Sequence, residues 1–379
     1  MHHVGTMRFA SARKAQVWAK RGKEKVQTRT KKVACKAAAL PQCDLDDMLL
    51  PCSLVAENQL DALRKVSVVV ADTGDIEQVK KYKPVDCTTN PSLMLKAASM
   101  PEYEHLLRSV LSTPEKYLPE ERPMSGAIDL LSVEFGSELL KSVPGRVSTE
   151  CDAHLSYNTQ KTIDKGRKLI DLYAAKGIEP SRVYIKIAST WEGIKACEVL
   201  EKEGINCNMT LLFSMAQAMA CADVGATLIS PFVGRILDWY KKAYNREYEP
   251  WEDPGVQSVK RIYKYYKLNG FKTIVMAASF RNVGEIREIS GCDNITISPA
   301  LLKELEDCTD PLEVKLLSAD AANIQCDPEI PEYTELDSST FNAMHSADQM
   351  ATDKLAEGIE SFSKDQEKLE ALLQSMKGT

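Results

Sequence analysis

Five histidines are few for 379 residues, and no two stand at a metal-binding spacing. The eleven cysteines contain no Cys-x-x-Cys pair. Zinc-ribbon and thioredoxin-like motifs are therefore absent. An odd, scattered cysteine set reads as reduced thiols, many packed as small apolar groups. No apolar run approaches the roughly 20 residues that span a bilayer, so no membrane partner is expected. No short repeat of the solenoid kind is present. Acids are scarce in one place. Residues 1–38 hold eleven Lys/Arg and one acid, Glu24, a charge of +10, so the remainder must carry −16 to give −6 overall.

That leader is basic, acid-poor and dotted with Ala, Ser and Thr, and it lacks the apolar stretch of a secretory signal. This is the composition of an organelle transit peptide. The rival is a basic arm for nucleic acid, but the acidic body lacks the positive footprint of a nucleic-acid binder. Val33–Ala39 resembles a plastid-type processing region. The expected organisation is a leader and linker over 1–56, disordered or removed, followed by one folded body over 57–379. The expected location is the plastid stroma, with mitochondrion and cytoplasm as alternatives.

What is present is alternation. Eight strands are expected, at Val66–Ala71, Val85–Thr88, Arg146–Ser148, Val183–Ala188, Asn206–Leu211, Thr227–Ser230, Thr273–Ala277 and Asn294–Ile297. Helical patterns lie between them. Thr162–Lys176 aligns Ile163, Ile170 and Tyr173 and stops at Gly177. Val256–Leu268 groups Val259, Ile262, Tyr263 and Tyr266. Ser214–Gln217 and Asn282–Glu285 have the form of capping boxes, and Gly225 and Gly291 follow as stops. Glu57–Lys65 and Pro299–Asp307 add flanking helices. Strands alternating with helices predict parallel pairing, and eight of them predict an α/β fold closed as a (β/α)8 TIM barrel. The rival open sheet usually carries a glycine-rich phosphate loop after its first strand. Here that loop, Ala71-Asp72-Thr73-Gly74-Asp75, has one glycine. Met350–Met376 reads as a long amphipathic helix with Leu355, Ile359, Phe362, Leu369 and Leu372 on its stripe, to be packed on the barrel or on a partner subunit of a homodimer.

Within the fourth strand, Lys186 is a lone lysine in an apolar, β-branched run. Val183, Ile185 and Ile187 share one face; Tyr184, Lys186 and Ala188 share the other. Burial disfavours the charged form of an amine, and a neutral amine attacks carbonyls to give a Schiff base. The bland alternative is a strand-end lysine whose head reaches water. What decides between them is the set of residues at the other strand ends, where barrel chemistry sits: Asp72, then Thr88 to Ser92 with Asn90, then Glu150, Asn208 with Thr210, Ser230 with Arg235 five residues on, Ser279 to Asn282 with Arg281, and Ser298. Singly, Asp72 and Asn282 could be caps and Arg235 a surface ion pair. Together they supply a nucleophile, two acids for proton transfer, amides and hydroxyls for a polyol, and two arginines that, with the helix start near Asn282, suit a phosphate. No metal constellation is present, and an imine would serve as the electron sink in place of a Lewis acid.

The motifs Val69-Val70-Ala71-Asp72-Thr73-Gly74-Asp75, Thr88-Thr89-Asn90-Pro91-Ser92-Leu93, Val147-Ser148-Thr149-Glu150, Ile185-Lys186-Ile187-Ala188-Ser189-Thr190-Trp191, Cys207-Asn208-Met209-Thr210-Leu211-Leu212-Phe213-Ser214, Ile229-Ser230-Pro231-Phe232-Val233-Gly234-Arg235-Ile236 and Ala278-Ser279-Phe280-Arg281-Asn282 stand in this order. In them the chain resembles the transaldolases from about residue 58 to its end. The resemblance implies a cofactor-free Schiff-base transferase of the pentose phosphate pathway. Such an enzyme moves a dihydroxyacetone unit from sedoheptulose 7-phosphate to glyceraldehyde 3-phosphate, giving erythrose 4-phosphate and fructose 6-phosphate. It implies Lys186 as the Schiff-base lysine, Asp72 as the acid/base at the C4 hydroxyl, and Glu150 with Thr210 as a water relay. Asn90 and Asn208 would hold the dihydroxyacetone hydroxyls. Ser230, Arg235 and Arg281 would bind phosphate, and Phe232 would wall the imine. Ala277, His154 and Cys151 depart from the family pattern at Gly, Arg and aliphatic positions. The alternatives are a fructose-6-phosphate aldolase, which the long chain and full motif set oppose, and a non-catalytic sugar-phosphate-binding barrel, which would require a missing catalytic residue.

Overall fold

The computed structural model describes residues 52–112 and 124–377. Eight parallel strands close into a barrel: Val68–Asp72, Asp86–Thr88, Val147–Glu150, Val183–Ala188, Cys207–Leu212, Leu228–Pro231, Ile274–Ala277 and Asn294–Ile297. The expected strands are all found, with ends displaced by up to two residues. The closing pair joins Val70 of the first strand to Thr296 of the eighth.

Period-two alternation sorts each strand between two cores. In the fourth strand Val183, Ile185 and Ile187 face outward into the large core shared with the helices. Tyr184 faces inward and joins Val70, Leu228 and Met276 in a separate buried cluster. One pleat further along lie Asp72, Lys186 and Ser230 on their strands and Ala278 just past the end of the seventh, all lining one cavity at the strands' C-terminal ends. An apolar layer thus plugs the barrel beneath a polar one, and side-chain direction in a strand fixes which residue falls in which layer.

Helix caps behave largely as the sequence suggests. Ser214 and Gln217 form a reciprocal capping box. Asn282 caps Glu285 N, but the return bond is absent: Glu285 Oε2 accepts from Arg281 N instead. That helix ends at Glu288, and Gly291 takes a φ of +93° beyond it.

The folded body begins earlier than residue 57. Cys52–Leu54 is a strand paired antiparallel with Leu312–Val314, so the expected linker contributes structure. The rest of the expected leader, residues 1–51, lies outside the described residues. Ser125–Leu140 is a helix that no amphipathic stripe announces, because Ala127, Leu131, Val133, Phe135 and Leu139 bury it on several sides. Gly136 is needed there, since a Cβ would lie 1.8 Å from the Tyr173 hydroxyl.

The C-terminal helix, Gln349–Lys377, crosses the mouth of the barrel. Met350, Ala351, Leu355, Ile359 and Phe362 pack against Ala188, Leu211, Phe213, Phe232 and Ile236. Polar ties add to this: Ser92 Oγ donates to Asp365 Oδ2 at 2.5 Å, Trp239 Nε1 to Asp353 Oδ2 at 2.8 Å, and His154 Nε2 lies 3.1 Å from Glu367 Oε1. The His154 departure thus lies in the contact between the third-strand loop and this helix. No helix among the described residues is long and apolar enough to cross a membrane.

Candidate active site

Lys186 stands between Glu150 on one neighbouring strand and Asn208 on the other, as the parallel register requires. Its residue is 4% exposed. Nζ donates to the Thr89 carbonyl at 2.9 Å and lies 3.1 Å from Glu150 Oε2, close enough for an ion pair but without hydrogen-bond alignment. Burial raises the Glu150 carboxyl above its ordinary range, opposed by the charge of Lys186.

Asp72 ends the first strand on the same cavity. Burial raises its carboxyl too, and Lys186, the Thr88 hydroxyl and Arg235 pull the other way. Thr88 Oγ1 donates to Asp72 Oδ1 at 2.9 Å and lies 2.7 Å from Thr296 Oγ1. The Thr88 hydroxyl, given no role from the sequence, therefore holds the acid, and that of Thr296 in turn meets Thr88. Thr296 could have been found by the alternation that places it one pleat before Ser298.

Asn208, a candidate for the dihydroxyacetone hydroxyls, is already linked to Ser230, a candidate for the phosphate. Ser230 Oγ donates to Asn208 Oδ1 at 2.6 Å, and Asn208 Nδ2 donates to Ser148 Oγ at 3.0 Å. Asn90 lines the cavity, but its Oδ1 also caps the helix Pro91–Ala98 by accepting from Leu93 N at 2.9 Å. Thr210 is wholly buried, and its hydroxyl, like Glu150 Oε2, has no hydrogen-bond partner among the described residues. Buried polar atoms in that condition are suited to water or substrate. Next to Thr210, Leu211 adopts a φ of +52°, where the pairing register with the sixth strand shifts between Met209 and Leu212. A left-handed leucine is strained, and this irregularity sits at the point where the strand presents Thr210.

The two arginines differ. Arg235 lines the cavity, its guanidinium carbon 5.1 Å from the Phe232 ring centre and 5.2 Å from that of Phe362. Burial and the nearby charge of Arg281 lower its pKa. Phe362, from the C-terminal helix, also has Lys186 Nζ at 6.0 Å from its centre. Sequence reasoning placed it on an apolar stripe without seeing that the stripe reaches the lysine. Arg281 does not line the cavity; its Nη2 donates to Asp238 Oδ2 at 2.6 Å. The expected anion-binding helix start beside it is also altered, since Asn282 and Glu285 already take the Glu285 and Arg281 amides. The cavity holds about 110 Å³ and is lined besides by Met276 and Ser279.

Elsewhere among the described residues, Cys197, Glu201 and Cys207 bring possible metal-ligand atoms within 4.8 Å of one another. Glu201 is already engaged: it accepts from Cys207 N at 2.9 Å, Thr227 N at 2.6 Å and Thr227 Oγ1 at 2.8 Å. The group therefore reads as a tie between strands. Cys151 is buried with its thiol pushed well up by desolvation, which suits a packing role.

A barrel with a buried lysine flanked by raised carboxyls has the layout of a Schiff-base aldolase. The Transaldolase/Fructose-6-phosphate aldolase family pattern matches residues 69–373. A transaldolase of Pseudoalteromonas atlantica is 58% identical over 320 residues, 84% of this chain and 99% of its own length. Transaldolase A of Pasteurella multocida is 56% identical over 317 residues, 83% of this chain and 98% of its own. A transaldolase of Haemophilus influenzae gives the same figures of 56%, 83% and 98%. The chain belongs to the transaldolase/fructose-6-phosphate aldolase family. Within it, its activity is that of a transaldolase: a transferase that moves a dihydroxyacetone unit between sugar phosphates.

Proposed function

We propose that Lys186 is the Schiff-base nucleophile and that the residues around it divide the proton transfers. Lys186 passes a proton to Glu150, 3.1 Å away, and its freed amine adds to the C2 carbonyl of the ketose donor. Glu150 and Thr210, through a water, move the protons that let the carbinolamine lose water and become an iminium. Asp72 takes the C4 hydroxyl proton, the C3–C4 bond breaks, and its electron pair is held as an enamine on the iminium nitrogen. The aldehyde leaves, the acceptor aldehyde enters, and the steps reverse. Asn90 and Asn208 hold the dihydroxyacetone hydroxyls, Phe232 walls the imine, and Ser230, Arg235 and Arg281 receive the phosphate. For Arg281 this means exchanging Asp238 for substrate.

The observation that carries this reading is the placement of Lys186 Nζ, buried and 3.1 Å from a carboxylate oxygen. A structural lysine seldom occupies such a position without a task. The test is to incubate the protein with fructose 6-phosphate, reduce with borohydride and locate the added three-carbon unit by mass spectrometry. Label on any lysine other than Lys186 would sink the assignment.

We further propose that the basic leader is a transit peptide delivering the enzyme to the plastid stroma. The support is compositional: +10 over residues 1–38 ahead of a body at −16. Residues 1–55 fused to a fluorescent reporter should direct it to plastids. A diffuse cytosolic signal refutes targeting, and a mitochondrial one refutes the plastid assignment.

A further inference from the structure

Arg235 lines the cavity with no carboxylate in contact. Among the described residues it makes no hydrogen bond and no ion pair. Two phenyl rings hold it instead. Its guanidinium carbon lies 5.1 Å from the Phe232 ring centre and 5.2 Å from that of Phe362, both within cation–π range. Phe232 follows the sixth barrel strand and is backed edge-on by Phe213, the ring centres 5.6 Å apart. Phe362 comes from the C-terminal helix and is wholly buried. Arg281 is held differently, its Nη2 donating to Asp238 Oδ2 at 2.6 Å. A carboxylate fixes an arginine but occupies its donors and offsets the charge that a phosphate would meet. A ring face attracts the cation through its quadrupole and leaves the N–H edges free. Arg281 must give up a partner to receive phosphate; Arg235 need give up none.

The C-terminal helix is shaped for this contact at a second residue. Gly358 stands one turn before Phe362 on the same face. A Cβ there would lie 3.3 Å from Arg235 Nη1 and 2.7 Å from Leu211 Cδ2. Glycine weakens a helix interior; what it permits here is the close approach of helix backbone to guanidinium. Met350, Ala351, Leu355 and Ile359 pack in the same buried cluster as Phe232 and Ile236, so the helix is fixed along its length and the Phe362 ring with it. Lys186 Nζ lies farther from that ring, at 6.0 Å, which makes Arg235 its nearer cation.

We propose that Phe362, with the room left by Gly358, makes the C-terminal helix one half of an aromatic seat that holds Arg235 ready for the substrate phosphate with its donors unoccupied. The inference rests on the reading of Arg235 as a phosphate ligand. Phe362 is a positioning residue, since it acts through Arg235. Without its ring the guanidinium is held from one side only and must be ordered when the phosphate arrives. Recognition of the phosphate then weakens, whatever happens to the chemistry at Lys186.

The test compares two acceptors, glyceraldehyde 3-phosphate and unphosphorylated glyceraldehyde, with the full chain and fructose 6-phosphate as donor. In a double-displacement reaction kcat/KM for the acceptor is independent of the donor half, so the ratio of the two acceptors reads phosphate recognition alone. Phe362→Leu keeps an apolar side chain but no ring, and the ratio should fall at least about threefold, the size of one cation–π contact. A purely packing role is separated by placing mono- and then trifluorinated phenylalanine at position 362. Fluorine drains the ring face with little change of shape, so the ratio should step down with each addition. The fluorinated rings also answer the question if Phe362→Leu does not fold. The seat is overturned if the trifluorinated ring keeps the parent ratio, or if Phe362→Leu folds and keeps it. Arg235→Ala separates the two levels. An unchanged ratio there removes Arg235 from the phosphate site and with it the reading beneath. A lowered ratio there, with the parent ratio kept by the position-362 variants, removes the seat alone.

Discussion

Two layers of the same barrel, one pleat apart on the same strands, do opposite work. Val70, Tyr184, Leu228 and Met276 form a buried apolar plug. Asp72, Lys186, Ser230 and Ala278, two positions on, line the cavity at the strands' C-terminal ends. The lower layer stabilises by removing apolar area from water. The upper one confines ionisable groups where burial raises two carboxyls, Asp72 and Glu150. On the proposed assignment of Lys186 as nucleophile, the plug keeps water from reaching it from below and so serves the chemistry, while the buried ionisable groups lower the stability that the plug provides.

The comparison is broken most completely at the upper layer. Lys186→Arg should lower transfer on the order of 10⁴-fold or more, as loss of a nucleophile typically does, because a guanidinium stays protonated and cannot form an imine. Thermal unfolding should show the fold retained. Turnover near the parent rate would mean that another group attacks the ketose.

Asp72→Asn should come next, slowing cleavage on the order of 10²- to 10⁴-fold, the range for a positioned acid/base. Imine formation does not need Asp72, so borohydride should still trap the donor on Lys186. A variant that neither turns over nor traps would place Asp72 in imine formation instead.

Leu228→Ala tests the plug. Truncating a buried leucine generally costs about 2–5 kcal/mol, and denaturant titration should show a loss in that range. Acceptor kcat/KM per folded molecule should fall by less than about tenfold. If activity fell by orders of magnitude in folded protein, the two layers would not be separable as described.

The sequence made this layering legible because strand side chains alternate with a period that admits no drift. Two strands, Val183–Ala188 and Asn294–Ile297, have the expected ends. Once Lys186 was placed inside, Asp72, Asn208 and Ser230 followed from the shared strand ends. Three features were not legible, each for its own reason. Cys52–Leu54 and Leu312–Val314 are three-residue strands, too short to show alternation. Ser125–Leu140 is buried on several sides, so it offers no stripe. Phe362 reaches Lys186 from 176 positions along the chain, and Arg281 meets Asp238 across 43. Such pairings are decided by tertiary packing, which local patterns do not encode.

The smallest expected effect is the most diagnostic, because one substitution should move function and stability in opposite directions. The folded pKa of Asp72 is raised, with burial outweighing Lys186, Thr88 and Arg235. Over the pH range between its unfolded and folded values the native state therefore binds more protons than the unfolded state. Stability from this group is greatest below the unfolded value and falls as pH rises through the folded one. Asp72→Asn has no such proton to lose, and its amide oxygen can still accept from Thr88. At pH 8 the variant should melt above the parent, with the gap closing towards pH 4, while its transfer activity stays low throughout. A variant that melted below the parent at pH 8 would mean that the attraction of Lys186 and Arg235 for the carboxylate outweighs its desolvation, and that the upper layer is held together by its charges.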